Sequence, residues 1–497
     1  MLIVGSGLLG AAVARMVRDA SPTADIVMVS GGPRIGQVPG QHLHDSPEPH
    51  LRARFARGAA QNQQDLYVGA RLLTPAPPST LPEPGMHSLS GFGSGPNAMP
   101  GAAVAWNEGG MGVHWAAGCP EPGSDEVPAF LDDDEWRSDV LAARRLLGVQ
   151  TDTYPTDDTS RAVIAALEQV GGLAAGSPRG PGPLPMAIRR DDEGLLVRTG
   201  PNRIFPALAT GCDEHFELVV DSLCVQIVIE DGRAVAGLVR PLSGGPLQRL
   251  DADHVVVAAD ALRTPQLLYA SGIRPEALGR RLNEHAFIAG SVVLPGRQVD
   301  RPRAAPGPGE HAEPFSHALW FPYRGVGHPY HGTVLCRPYA AGPPGSVLAT
   351  LTWYVPTDIA PANRVHFSQD ASDAAGMPQM SVDFARSDAD LARIGAGRRE
   401  MDRVITALGG RRDRPEPQVL APGSSLHYTG TVRMGATDDG TSVCDTDGRV
   451  WGLSNTYVVG TGVVPTALAA NSTLTATVLA VRTARALGRD LPSSSRA

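Results

Sequence analysis

The stretch "LIVGSGLLGAAVARMVRDASP" limits what this chain can fold into more than any other. An apolar strand runs into Gly5-x-Gly7-x-x-Gly10, and a helix follows whose apolar side includes Leu9, Val13 and Val17. Glycines at these positions permit a tight turn and the close approach of a pyrophosphate to the helix N-terminus. Strand, glycine turn and helix in that order predict a dinucleotide site; the alternative is a Gly-rich structural turn. The second strand, "DIVMVS", ends near Ser30, where an acidic residue usually holds the ribose hydroxyls. That departure weakens a nicotinamide reading.

With 497 residues the chain suggests about three domain-sized units. It carries 43 basic and 51 acidic residues, a formal charge of -8, so it lacks the basic surface that nucleic-acid binding requires. Every basic side chain other than histidine is arginine. The absence of lysine excludes Schiff-base chemistry, lysine-anchored pyridoxal phosphate and a lysine-bearing phosphate loop. Five cysteines, odd in number and far apart, with no C-x-x-C pair, give neither a disulfide framework nor a metal site. Met1 runs straight into "LIVGSG" without a charged and apolar leader, and no apolar run approaches membrane length. The expectation is a soluble cytoplasmic protein with no membrane partner.

Three Pro/Gly/Ser-rich stretches, residues 74–101, 176–185 and 301–314, read as loops or seams. Between them "FELVVDSLCVQIVIEDGRAVAGLVRP" predicts strands around an Asp-Gly turn, and "HVVVAADALRTPQLLYASG" a buried strand leading into a helix. From Gly290 to Phe384 β-rich segments follow one another with almost no helical period, which predicts an antiparallel sheet inserted into an α/β chain. Near the C-terminal end, a strand ending at Gly460 and Gly462 leads through Pro465 to a helix from about Ser472 to Leu487, closed by Gly488. Its N-terminus offers a partial positive charge suited to the anionic edge of a reduced flavin; alternatively Asn471 is a plain N-cap.

Taken together, "GSGLLG", "GGMGVHW", "VVVAADALRTPQLLYASG" with "LGRRLNEH", "LHYTGTVRMG" and "VCDTDGRVWGLSNTYVVGTGVVPTALAANSTLTAT" resemble the glucose-methanol-choline family of flavoproteins over nearly the whole chain. "NRVHFSQDASDAAGMPQMSVDF" and "GGMGVHWAAGCPEP" look most like its pyranose oxidases and bacterial glycoside 3-oxidases. The resemblance implies FAD and a Rossmann-like FAD domain with a six-stranded substrate sheet. The expected division is 1–125, 201–289 and 421–497 for FAD, 126–200 for substrate-side helices and loops, and 290–420 for the substrate sheet.

The resemblance also implies roles. Gly5, Gly7, Leu9, Gly10 and Ser30 face the dinucleotide, while Gly110, Met111, Gly112, His114, Trp115 and Ala116 pass beside the flavin ring. In fungal pyranose oxidases the histidine matching His114 carries the flavin covalently. Here Val113 and Ala116 stand where those enzymes have threonines, and a non-covalent flavin is expected; a hydrogen-bonded core histidine is the other reading. Cys224 and Val225 match the strand that meets adenine, and Ala259, Gly460 and Thr473 complete the cofactor set. Ala258 and Ala259 stand where the family usually has glycine.

Alcohol oxidation by a flavin needs a base for the hydroxyl proton and an aimed C–H bond. His427 and Asn471 match the family's catalytic pair. A neutral imidazole takes the proton, and an amide holds the oxygen without titrating. Trp320, Phe321, Tyr323, Tyr330, Trp353 and Tyr354 are split between sugar stacking and sheet core. The resulting expectation is oxidation of a secondary ring hydroxyl, at C3 or otherwise C2, of a pyranose or glycoside, with O2 reduced to H2O2. The alternatives are a dehydrogenase passing electrons to a quinone or carrier protein, and a non-catalytic flavin-bound sensor.

Overall fold

The strand Leu2–Val4 lies at the centre of a five-stranded parallel sheet in the order Thr456–Val458, Val255–Val257, Leu2–Val4, Ile26–Val29, Phe216–Val219. Apart from the edge strand Phe216–Val219, which is half-buried and exposes Glu217, the strands of this sheet are largely apolar and buried, as a covered parallel sheet requires. The helices Leu8–Ala20 and Ser472–Asp490 pack against each other. The structure is a computed structural model and describes residues 1–64, 83–174, 177, 179–295, 313–325, 327–413 and 415–491.

Gly10 lets helix and strand approach: a Cβ there would stand 2.1 Å from the Gly5 carbonyl oxygen. Gly5, at φ +117°, occupies backbone that favours glycine, and a Cβ would meet the Ala258 oxygen at 2.3 Å. The alanines at 258 and 259 are tolerated because the left-handed residue here is Asp260, at φ +66°. Its carboxylate accepts from the Leu262 and Arg263 amides, starting the helix Asp260–Ala270.

A second, antiparallel sheet of seven strands contains Ala286–Leu294, Val347–Val355, His331–Pro338 and His317–Phe321, flanked by short strands at Arg411–Arg412, Gln418–Val419 and Gly182–Pro183. One more strand than the implied six arises from these two-residue edges. Along Val347–Val355, Ala349, Leu351, Trp353 and Val355 pack in a core with Val163, Leu167, Ile394, Met401, Val404 and Ile405 of the helices Asp158–Gly171 and Asp388–Leu408. Thr350, Thr352 and Tyr354, with alternate side-chain direction, line a cavity on the other face.

Several sequence expectations shift. The sheet starts at Ala286, and "RVHFS" and "QMSVDF" form a separate hairpin, Arg364–Ser372 with Pro378–Asp383. Residues 126–200 are shared: Asp133–Leu147 packs on Ser472–Asp490, whereas Asp158–Gly171 packs on Asp388–Leu408. The stretch 74–101 includes the strand Gly85–Ser88, paired with Ala103–Trp106; residues 65–82 and 296–312, with most of the expected loop 301–314, lie outside the described residues. Gly488 does not close the last helix, which continues to Asp490; a Cβ there would make only ordinary contact with Ala20 Cβ at 3.5 Å. The Asp231-Gly232 turn has both residues at positive φ, as a tight hairpin between Ser222–Glu230 and Arg233–Pro241 needs.

Candidate active site

One cavity of about 530 Å³ runs from the glycine turn to the face of the antiparallel sheet. Gly5, Gly7, Leu9, Ser30, Cys224 and Ala259 line it toward the first helix; Gly110, Met111, Gly112, His114, Trp115 and Ala116 line its middle. His427, Gly460, Asn471 and Thr473 line the end beneath Tyr354. Two expected contacts do not reach it. Gly10 is buried under the Gly5 carbonyl, and Val225, expected to meet adenine through its backbone, follows Cys224 on the strand but does not line the cavity. Of the six aromatics weighed for sugar stacking, only Tyr354 lines the cavity; Phe321, Tyr330 and Trp353 belong to the sheet core.

The middle of the cavity explains the glycines before His114. Gly109 and Gly110 take φ +79° and +53°, and a Cβ on Gly112 would stand 2.7 Å from Leu8 Cγ. Gly110 would meet nothing nearer than the Gly7 Cα at 4.0 Å, so two bare backbones face one another across the cleft. The Ser6 hydroxyl accepts from the Gly109 amide and donates to Ser30 Oγ, joining the two glycine turns. Trp115 donates its indole N–H to the Thr199 carbonyl, and His42 Nε2 donates to the Trp115 carbonyl. The Asn107 amide nitrogen donates to the Glu108 and Gly110 carbonyls, turning Oδ1 toward His114 Nε2 at 2.8 Å. His114 therefore donates from Nε2, and burial pushes its pKa down to about 3.

At the far end, His427 and Asn471 are each held from behind. His427 Nδ1 lies 2.8 Å from His285 Nε2, and its own Nε2 has no hydrogen-bond partner among the described residues. Burial lowers the His427 pKa to about 4. Asn471 occupies the N-cap position of Ser472–Asp490 without capping it; Oδ1 instead accepts from His331 Nε2 at 3.1 Å. The first-turn N–H groups of that helix thus have no side-chain cap, and Ser472 and Thr473 line the cavity beside them. Sheet register aligns Phe287, Tyr354 and His331 in one row, with Tyr354 stacked on both neighbours at 4.9 and 5.3 Å between centroids.

Two buried carboxylates set the backbone of the pair. Glu284 accepts from the Gly423 and Ser425 amides and the Ser425 hydroxyl, and that hydroxyl accepts from the His427 amide. This clamp accompanies Leu426 at φ +60°, a conformation that a branched residue rarely takes unaided. Glu126 accepts from the Ala469 and Ala470 amides, directly ahead of Asn471. His285, His331, Glu284 and Glu126 were not singled out by sequence reasoning. Their only sequence signal was "LGRRLNEH" for the first pair of neighbours, Glu284 and His285.

The family model described as GMC oxidoreductase matches residues 204–287 and, in its C-terminal part, 360–480. The chain is 36% identical to the C-glycoside 3-oxidase of Microbacterium trichothecenolyticum, over 98% of this chain and 96% of that protein. It is 30% identical to the pyranose 2-oxidase of Tricholoma matsutake, over 98% of this chain and 93% of that one. Its fold is similar to the crystal structure of pyridoxine 4-oxidase from Mesorbium loti, with a TM-score of 0.61, 16% identity and 98% of each chain covered. FAD fits the cleft, where a glycine turn opens on a helix N-terminus and a bare-backbone turn faces it across the middle. The chain belongs to the GMC oxidoreductase family and is an FAD-dependent oxidoreductase acting on CH–OH groups.

Proposed function

We propose that this enzyme oxidises the C3 hydroxyl of a pyranose glycoside, C-glycosides included, to a ketone, and passes the electrons to O2, giving H2O2. The single observation that carries the reading is the pairing of a bare imidazole nitrogen, His427 Nε2, with the Asn471 amide on one cavity wall. His427 Nε2 accepts the hydroxyl proton. Asn471, with Oδ1 engaged by His331, turns Nδ2 toward the same oxygen and donates to it. FAD supplies the hydride acceptor. The kinship with a C-glycoside 3-oxidase supports C3 and a glycoside over C2 and a free sugar.

The cofactor residues of this reading are the cavity-lining glycines 5, 7, 110, 112 and 460 with Leu9, Ser30, Met111, His114, Trp115, Ala116, Cys224, Ala259 and Thr473. The flavin is held without a covalent bond: His114 Nε2 is committed as a donor to Asn107. Acid precipitation is then expected to release all yellow colour, and colour kept in the washed pellet would contradict it.

The function is tested by the visible spectrum before and after anaerobic addition of glucose and of an aryl C-glycoside. Bleaching by both, with a higher kcat/KM for the glycoside, is expected. Preference for glucose restores a pyranose 2-oxidase assignment, and no bleaching by any sugar leaves a sensor. Admitting air or a quinone to the reduced protein then identifies the electron acceptor.

A further inference from the structure

We propose that His285 is a positioning residue that fixes the tautomer of His427, so that its Nε2 lone pair faces the cavity. The inference rests on the reading of His427 as the base. Its starting point is a group that cannot change role, the Leu468 carbonyl, which only accepts. His285 Nδ1 lies 3.0 Å from that oxygen and therefore carries the proton. A neutral imidazole has one N–H, so His285 Nε2 is an acceptor. His427 Nδ1, 2.8 Å away, must donate to it, and His427 Nε2 is left bare.

The chain of donors thus runs from His427 through His285 to a backbone carbonyl three residues ahead of Asn471. His285 itself is buried and does not line the cavity. The titratable groups facing it are His427, His331 and Tyr354; none of its hydrogen-bond partners is a carboxylate. Burial holds its pKa well below the usual histidine value, which keeps Nε2 free to accept.

The same bond serves both halves of the proton transfer. Before reaction it excludes the tautomer with the proton on Nε2, which cannot act as base. When the substrate O–H bond breaks and the N–H bond forms at Nε2, the imidazolium still donates from Nδ1 to a neutral acceptor. That hydrogen bond is then charge-assisted and stronger, so it favours the protonated product over the ground state. Without His285 the Nδ1–H of the imidazolium would be buried without a partner.

The test compares His285→Leu, which removes the acceptor, with His285→Gln, whose amide can donate to Leu468 and accept from His427. Anaerobic single-turnover flavin reduction is followed across pH. His285→Leu is expected to lower the limiting rate about 10–100-fold with little change in sugar affinity. Its acid limb moves to lower pH, because the imidazolium of His427 loses its acceptor. His285→Gln is expected to recover most of the rate, which a merely space-filling role does not explain. Reduction of His285→Leu at the wild-type rate with an unmoved limb would overturn the proposal, as would a Gln variant as slow as Leu. Histidine ¹⁵N NMR of the wild-type protein, assigned with His427→Gln, covers the case in which neither variant folds: it must show His427 as the Nδ1–H tautomer, and the Nε2–H tautomer refutes the inference. If His427→Ala itself leaves reduction unaffected, the base assignment fails instead, so the two failures are distinct.

Discussion

His114 and His427 are both burial-depressed imidazoles on the wall of one cavity, yet they are built in opposite ways. His114 is held by Asn107, seven positions earlier, within a turn whose glycines fold it locally. His427 is held by His285, 142 positions away, on a different sheet's approach. The first ring spends Nε2 on its support, whereas the second leaves Nε2 bare. A ring tied at Nε2 can shape a wall; a ring tied from behind at Nδ1 can take a proton.

The largest effect that separates the two comes from His427→Ala. Flavin reduction is expected to slow by ~10²–10⁴-fold while the yellow colour and the fold persist. The wild-type rate should fall on the acid side as pH drops toward about 4, because protonated imidazole cannot accept the hydroxyl proton, and this limb should flatten in the variant. Stopped-flow reduction under anaerobic conditions measures both. A wild-type rate in a variant that still saturates with sugar would assign the proton to another group.

Asn471→Ala comes next. The amide orients the oxygen without taking the proton, so a slowing of about 10–100-fold is expected, below that of the base. His331 then loses its Oδ1 acceptor and is left buried with an unpaired N–H, so a drop in thermal midpoint should accompany the kinetic loss. Asn471→Asp sharpens the point: a carboxylate still accepts from His331 but presents no donor to the substrate oxygen, and it should be no faster than alanine.

The same contrast explains what was readable in the amino-acid order. The strand, glycine turn and helix from Leu2 to Ala20 are encoded in consecutive residues, so pattern alone predicted them, whereas the turn before His114 was placed beside the flavin only by the family resemblance. His427 and Asn471 were found only through family motifs. The supports of the pair were not found, because a hydrogen bond between residues 285 and 427, or 331 and 471, leaves no local period. The helix end at Asp490 was missed because Gly488 stays inside the helix instead of taking a glycine's usual place after it, and nothing in the structure explains why a glycine stands there. Gly10 was expected at the cofactor as the last glycine of the turn and Val225 through its backbone on the strand implied to meet adenine; neither lines the cavity, and Gly10 instead lies against the Gly5 carbonyl.

The smallest effect lies on the other side of the comparison. His114→Ala should slow flavin reduction far less than His427→Ala, since its ring donates to Asn107 and offers no base. Its signature should instead be thermodynamic. The folded pKa of His114, about 3, lies below the ordinary histidine value of 6.5, so the unfolded chain binds more protons between those two limits. The stability linked to this depressed pKa is fully present above pH 6.5 and is lost as pH falls toward 3. His331, at about 3, and His427, at about 4, act in the same direction, so the wild-type thermal midpoint should decline across this window. Removing His114 deletes one of these three proton sites and should make the decline shallower, while the rate profile of flavin reduction keeps its acid limb. Melting curves collected between pH 3.5 and 7 on wild type and variant decide it. A variant whose midpoint falls as steeply as that of the wild type would mean that His114 binds its proton equally in the folded and unfolded chain, and the two histidines would then differ in kinetics alone.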